Sequence, residues 1–331
     1  MIRQIRALGV GLLGCFVLLF VQLNRVTVID AAKLNDNPVN TREILRDFNS
    51  PRGTVTTADG VLLARSVPSE GRFELQREFP QGDLFGHVTG FYSFSLGSSG
   101  VEKVYNDELA GRTREIEFQG LSDLFVDQER VGNLTLTLRA DLQQIAREQL
   151  GEREGSVVAI DPRDGSILAL WSYPAYDPNV LSSHDLAGAA AAQTQMDADP
   201  ERPRRSRAYQ ERFFPGSTFK VVTGSAGLVS GTVTPTEPVY PSVSSYTPPG
   251  TTRPLRNFGG STCGGNLLSI LRVSCNTSFA QMGVEVGPEA MVATAEAFGF
   301  NQDVPIDLTD PVRSNFPTDF ERNLPALAQS A

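Results

Sequence analysis

The stretch "RFFPGSTFKVV", residues 212 to 222, sets Ser217 three residues ahead of Lys220, directly behind a Pro-Gly pair. On a helix that spacing gives one face, with the two Cβ atoms about 5 to 6 Å apart. A neutral lysine so placed takes the proton of the serine and turns it into a nucleophile. The unpaired N–H groups of a helix start add positive potential, which disfavours an ammonium and favours an alkoxide, and they can contribute to an oxyanion hole. The lysine is informative by its rarity: Lys33, Lys103 and Lys220 stand against 26 arginines. Arginine keeps its proton in a protein, whereas burial can neutralise a lysine, so a lysine at 220 points to proton transfer. Ser-x-x-Lys also occurs on ordinary helix surfaces, and the reading therefore needs partners.

A serine nucleophile requires a second proton carrier and a polar group to hold the acyl donor. The two histidines, His87 and His184, are not placed for a Ser-His-Asp arrangement. "RVSCNTSF" supplies both functions, in Ser274 and Asn276. Ser-x-Asn is a common tripeptide that also serves turns and caps, and it gains meaning here as the second member of a set.

These residues must be positioned by elements. Residues 219 to 228 have helical apolar spacing, which puts Ser217 in the first turn of a helix. Upstream, "SVVAIDPRDGSILALWS" reads as two apolar strands joined by a turn, and "TTADG" between "TV" and "VLLA" reads as a second hairpin. A boundary near Gly132 is marked where alternating Leu134, Leu136 and Leu138 give way to helical spacing, with Asp141 as the expected cap and Gly151 as the stop. The arginines at 202, 204, 205 and 207 form a run best read as a solvated loop.

At 331 residues, 40% hydrophobic and 20% charged, the chain suits two globular domains. The N-terminus differs: Arg3 and Arg6 precede an uncharged run over residues 7 to 24, the short end of what spans a bilayer. No small-x-small cleavage site closes it, so an uncleaved single-pass signal anchor is expected, with the bulk outside the cytoplasm. Residues 26 to 331 carry a formal net charge of −12, which argues against nucleic-acid binding. Cys263 and Cys275, twelve residues apart, could form a disulfide or remain two free buried thiols. No ligand spacing relates the histidines to the cysteines, and neither a metal nor a cofactor is expected.

At this point the sequence resembles the class B penicillin-binding proteins, the D,D-transpeptidases that cross-link peptidoglycan, and most of all their short actinobacterial type, often called penicillin-binding protein A. "PGSTFK" looks like the family's first motif and "SCN" like its second. "SPRGTVTTADGVLLARS", "GSSGVEKVYNDELAG", "LTLRADLQQIA" and "AIDPRDGSILALWSYPAYDPN" follow the family's order. The resemblance implies an α+β fold: a membrane helix (1–24), a small, mostly-β pedestal (25–131), and a penicillin-binding domain with an antiparallel sheet flanked by helices (132–331). It implies Ser217 as acylated nucleophile, Lys220 as its base, Ser274 as proton relay and Asn276 as the amide that positions the donor. The implied partners are stem peptides ending in D-Ala-D-Ala, β-lactam antibiotics, the membrane, and cell-wall synthesis or division proteins including a glycosyltransferase.

One departure is plain. The family's third motif, Lys-Thr/Ser-Gly, is absent, since Lys220 is the last lysine. The expectation is a domain incomplete at its C-terminus, poorly soluble and nearly inactive by itself. A D,D-carboxypeptidase or β-lactamase-type hydrolase and a non-catalytic cell-wall scaffold are the alternatives.

Overall fold

The computed structural model describes residues 2–26, 47–113, 131–320 and 323–331. The parts of the expected pedestal at 27–46 and 114–130 lie outside the described residues. The chain divides into two compact units, each assembled from three stretches. Met1–Leu142, Pro162–Leu168 and Tyr176–Asp199 make the first; Gln143–Asp161, Ala169–Ala175 and Pro200–Ala331 make the second.

The N-terminal helix, α1 (Ile2–Asn24), exposes its described apolar side chains, among them Phe16, Leu18 and Phe20. Among the described residues, however, no helix is long and apolar enough to cross a membrane.

In the first unit β1 (Val55–Thr56), β2 (Leu62–Pro68), β3 (Leu75–Glu78) and β4 (Leu134–Thr135) form one sheet in the order β3-β2-β1-β4. β1 and β2 are the hairpin read from "TTADG": Val55 pairs with Ala64, and the Thr57 hydroxyl accepts the Val61 N–H at 2.9 Å. β1 runs parallel to β4, Val55 opposite Leu134. Phe48, Phe73 and Tyr92 are buried together, with Phe48 stacked on Tyr92 at 4.6 Å. Two arginines are sunk against one carboxylate: Arg52 Nε lies 3.1 Å and Arg77 Nε 2.7 Å from the two oxygens of Glu102. All three side chains are at most 3% exposed.

α2 (Ala140–Leu150) begins one residue before the expected cap, so Asp141 lies inside the first turn. The Ala140 N–H is held instead by Asp59 of the hairpin turn, at 3.1 Å. Asp59 sits below the usual carboxylate range because the Thr57 hydroxyl and then this amide donate to it. Gly151, at φ 60°, ends the helix as expected.

β5 (Gly155–Ile160) and β6 (Ile167–Tyr173) pair across the "DPRDG" turn, where Ser166 N–H reaches Asp164 at 2.9 Å. α3 (Leu186–Ala198), which belongs to the first unit, is capped by Asp185 on the Gly188 N–H. The second unit then continues with α4 (Lys220–Val229), β7 (Tyr240–Val243), β8 (Ser245–Tyr246), β9 (Leu255–Arg256) and β10 (Cys263–Gly265). Its remaining helices are α5 (Leu267–Arg272), α6 (Asn276–Val286), α7 (Pro288–Ala297) and α8 (Leu324–Ser330). β7 pairs antiparallel with β10 and β8 with β9.

Helices carry the core of this unit. Phe219, Val222 and Ala226 pack with Met291, Ala295, Phe316, Phe320 and Leu327, while Leu267, Ile270, Phe279 and Met282 form an adjoining cluster. Gly227 lets α4 approach closely: a Cβ there would stand 2.8 Å from Val233 Cγ2 and 3.3 Å from Met282 Sδ. The arginine run departs from the solvated-loop expectation at Arg207, which is buried with Glu154 as its partner and its guanidinium on the Glu201 carbonyl at 2.8 Å. A desolvated guanidinium so paired holds its loop in place instead of meeting a ligand.

Candidate active site

Ser217 lies in a 3-10 turn, Gly216–Phe219, that leads into α4, and not in the first α-helical turn itself. The difference helps. Side chains three apart are eclipsed in a 3-10 turn, which brings Lys220 Nζ to 3.3 Å from Ser217 Oγ. Phe219, buried against Phe316 with ring centroids 5.1 Å apart, anchors the turn. Ser217 itself is exposed, whereas Lys220 is 5% exposed. The nucleophile candidate therefore stands at the surface with its base behind it.

The second motif converges on the same nitrogen. Lys220 Nζ is 2.9 Å from Ser274 Oγ, 2.8 Å from the Ser274 carbonyl, and bonded to Asn276 Oδ1. Ser274 reaches it from a left-handed backbone, φ 55°, a conformation that costs a non-glycine residue of order 1 kcal/mol and is held from outside. The end of α5 does the holding, with Ser274 N–H on the Leu271 carbonyl at 3.1 Å and Cys275 N–H on that of Ile270 at 2.9 Å. Asn276 opens α6, and its Nδ2 donates to the Arg256 carbonyl at 3.1 Å. The other three residues singled out by sequence, Ser217, Ser274 and Asn276, thus surround the Lys220 amine.

The electrostatics follow from what is missing around it. Among the described residues no carboxylate pairs with Lys220; its partners are two hydroxyls, a carbonyl and an amide oxygen. Burial therefore pushes its pKa below the ordinary lysine value. The Phe279 ring, centroid 5.7 Å from Nζ, completes the wall. Among the described residues no three of His, Cys, Asp and Glu converge as metal ligands.

Cys263 and Cys275 are bonded, Cα atoms 5.9 Å apart, which decides between the two states left open by sequence. Cys275 is the middle residue of Ser-Cys-Asn, so the bridge ties β10 to the tripeptide. Sequence reasoning missed Asn257. It is 5% exposed, and its amide joins Val243, Ser261 and Thr277 in three hydrogen bonds. The available signal was a lone Asn between a short strand and "FGG", a weak one.

Comparison with known proteins places this geometry. Residues 155–330 match the penicillin binding protein transpeptidase domain, and residues 52–134 match the penicillin binding protein A dimerisation domain. Over 312 residues the chain is 37% identical to the peptidoglycan D,D-transpeptidase PbpA of Mycolicibacterium smegmatis, an alignment covering 91% of this chain and 63% of that one. PbpA of Mycobacterium tuberculosis is 36% identical over 308 residues, covering 90% and 62%. Among solved structures, penicillin-binding protein A from M. tuberculosis as its imipenem acyl-enzyme complex aligns with a TM-score of 0.79 at 34% identity, over 86% of this chain and 66% of that one. Its penicillin G acyl-enzyme complex aligns with a TM-score of 0.78 at 34% identity, over 85% and 66%. The chain spans less than two thirds of the length of these relatives. The transpeptidase match takes in more than half of the chain and includes Ser217, Lys220, Ser274 and Asn276. The fold is the α+β penicillin-binding transpeptidase fold, and the chain belongs to the penicillin binding protein transpeptidase domain family.

Proposed function

We propose that the chain is the catalytic part of a peptidoglycan D,D-transpeptidase that works through a Ser217 acyl-enzyme. One observation carries this reading: a buried lysine amine, without a carboxylate partner among the described residues, lies within reach of two serine hydroxyls, 3.3 Å from Ser217 and 2.9 Å from Ser274. Neutral Lys220 takes the Ser217 proton while Oγ attacks the carbonyl of the penultimate D-Ala in a stem peptide. The C–N bond breaks, and the proton returns through Ser274 to the departing D-alanine amine. An amine from a neighbouring strand then attacks the ester and gives a proton to Lys220, which passes it to the departing Ser217 Oγ, so that the hydroxyl and the neutral amine are both restored. Asn276 holds the donor amide. β-Lactams acylate the same oxygen, and the relatives' acyl-enzyme structures with imipenem and penicillin G support that.

The N-terminal arginines and the exposed apolar side chains of α1 support attachment to the membrane as a single-pass anchor with the bulk outside. The match of residues 52–134 to a dimerisation domain supports reading the pedestal region as an interaction domain.

The test is the intact mass of the full chain after incubation with benzylpenicillin, with Ser217→Ala alongside. One penicillin per chain, absent from the variant, is the expected result. No adduct on folded protein would sink the reading.

A further inference from the structure

We propose that Asn257 is a positioning residue, one that holds the Asn276 side chain where it serves the acyl donor. The proposal rests on the transpeptidase reading above. Asn276 is gripped at both ends of its amide: Oδ1 accepts from Lys220 Nζ, and Nδ2 donates to the Arg256 carbonyl at 3.1 Å. This orientation pairs both ends, because a flipped amide would aim its oxygen, an acceptor, at the Arg256 carbonyl. The Arg256 carbonyl must therefore be held at a fixed place relative to the first residue of α6.

Asn257, the next residue in the chain, does that. Its Oδ1 accepts the N–H of Thr277, the second residue of α6, at 3.0 Å. Its Nδ2 donates to the carbonyls of Val243 at 2.9 Å and Ser261 at 3.0 Å, which ties in the end of β7 and the loop after 257. The cap position of α6 is Cys275, which makes no side-chain cap bond and whose sulfur is committed to Cys263. Asn257 thus caps α6 from another segment, and the same bond sets the spacing between Arg256 and Asn276. At 5% exposure water cannot substitute for it.

The experiment measures the second-order rate of acylation of the full chain by benzylpenicillin, across pH, in wild type, Asn257→Ala, Asn276→Ala and the double variant. A positioning role lowers the rate of Asn257→Ala on the order of tenfold to a hundredfold, because the donor amide is misplaced, and leaves the midpoint of the pH profile unmoved. In the Asn276→Ala background the same substitution then has no further effect. A folded Asn257→Ala with the wild-type rate, or equal losses in both backgrounds, overturns the proposal and leaves Asn257 a plain structural cap. Should Asn257→Ala not fold, Asn257→Asp decides: it keeps the acceptor for Thr277, the bond that sets the spacing, and loses both donors. A rate near wild type supports the proposal, and a rate as low as that of Asn276→Ala overturns it. If wild type itself is not acylated, the transpeptidase reading falls. Positioning is then judged from the 15N signal of the Asn276 side-chain amide, identified by its loss in Asn276→Ala. A shifted signal with faster hydrogen exchange in the Asn257 variant supports the proposal, and an unchanged signal overturns it.

Discussion

Each unit of the molecule buries a cation site, and the two are built on opposite plans. In the first, Arg52 and Arg77 close on Glu102, and three side chains at most 3% exposed cancel much of one another's charge. In the second, Lys220 is almost as deeply buried, yet among the described residues it meets only neutral oxygens. Arginine remains charged wherever it is put, so burial forces the chain to supply a counter-ion. Lysine offers another exit, the loss of its proton, and a site that withholds the counter-ion favours that exit. A paired buried cation fixes structure; an unpaired one is free to do proton chemistry.

The largest expected effect comes from forcing one plan upon the other. Lys220→Arg keeps the charge and removes the base, and benzylpenicillin acylation should fall by about 10²- to 10⁴-fold in stopped-time mass measurements. Wild-type acylation should rise with pH as the amine deprotonates, with a midpoint below the ordinary lysine value of 10.5, and the residual rate of the arginine variant should lack that limb. A Lys220→Arg variant that keeps half the wild-type rate would end the comparison.

The next effect lies in the first unit. Glu102→Gln strips two buried guanidinium groups of their counter-ion and should destabilise that unit by about 3 to 5 kcal/mol in denaturant unfolding. If the change proves nearly neutral, the arginines are not held by charge, and the contrast fails from that side.

A finer distinction concerns the pH dependence of stability. The Lys220 pKa is lowered on folding, so between its folded value and 10.5 the unfolded chain binds more protons than the folded one. Stability should therefore rise with pH through that window. Lys220→Met should erase the rise, and its advantage over wild type should be greatest below the window. The smallest effect belongs to a pair outside both sites. Arg65–Glu78, 2.6 Å apart with side chains 47% and 39% exposed, should cost less than about 1 kcal/mol on Arg65→Ala. A larger loss there would mean that exposed charges in this unit obey the rules of its buried ones.

What could be read from sequence divides along the same physical line. Ser217 and Lys220 are three residues apart, so local helical geometry sufficed to predict that they meet. Ser274 and Asn276 lie 54 and 56 residues from Lys220 and were legible only as a motif resembling a family's. Asn257 was not legible, because its meaning depends on bonds to Val243 and Thr277 on separate elements. Glu102 likewise gave no sign of closing on arginines 50 and 25 residues upstream. Arg207 was misjudged because a run of like charges looks the same on paper whether one member is buried or none is. The hairpins at "TTADG" and "DPRDG" were plain, since turn chemistry is written in adjacent residues.

The interleaving of the two units bears on how the protein is made. The first unit includes Tyr176–Asp199, so it cannot close when Leu142 is synthesised but must wait for Asp199, about 3 to 11 seconds later at ordinary translation rates. In that interval Gln143–Asp161 and Ala169–Ala175 have emerged while the rest of their unit, which begins at Pro200, is still being translated. During synthesis the strand-bearing segments β5 and β6 are thus the apolar surface on offer to a chaperone. A fragment begun at residue 132 would carry Pro162–Leu168, Tyr176–Asp199 and only the end of the first stretch, with β4 but without β1, β2 and β3 of its sheet.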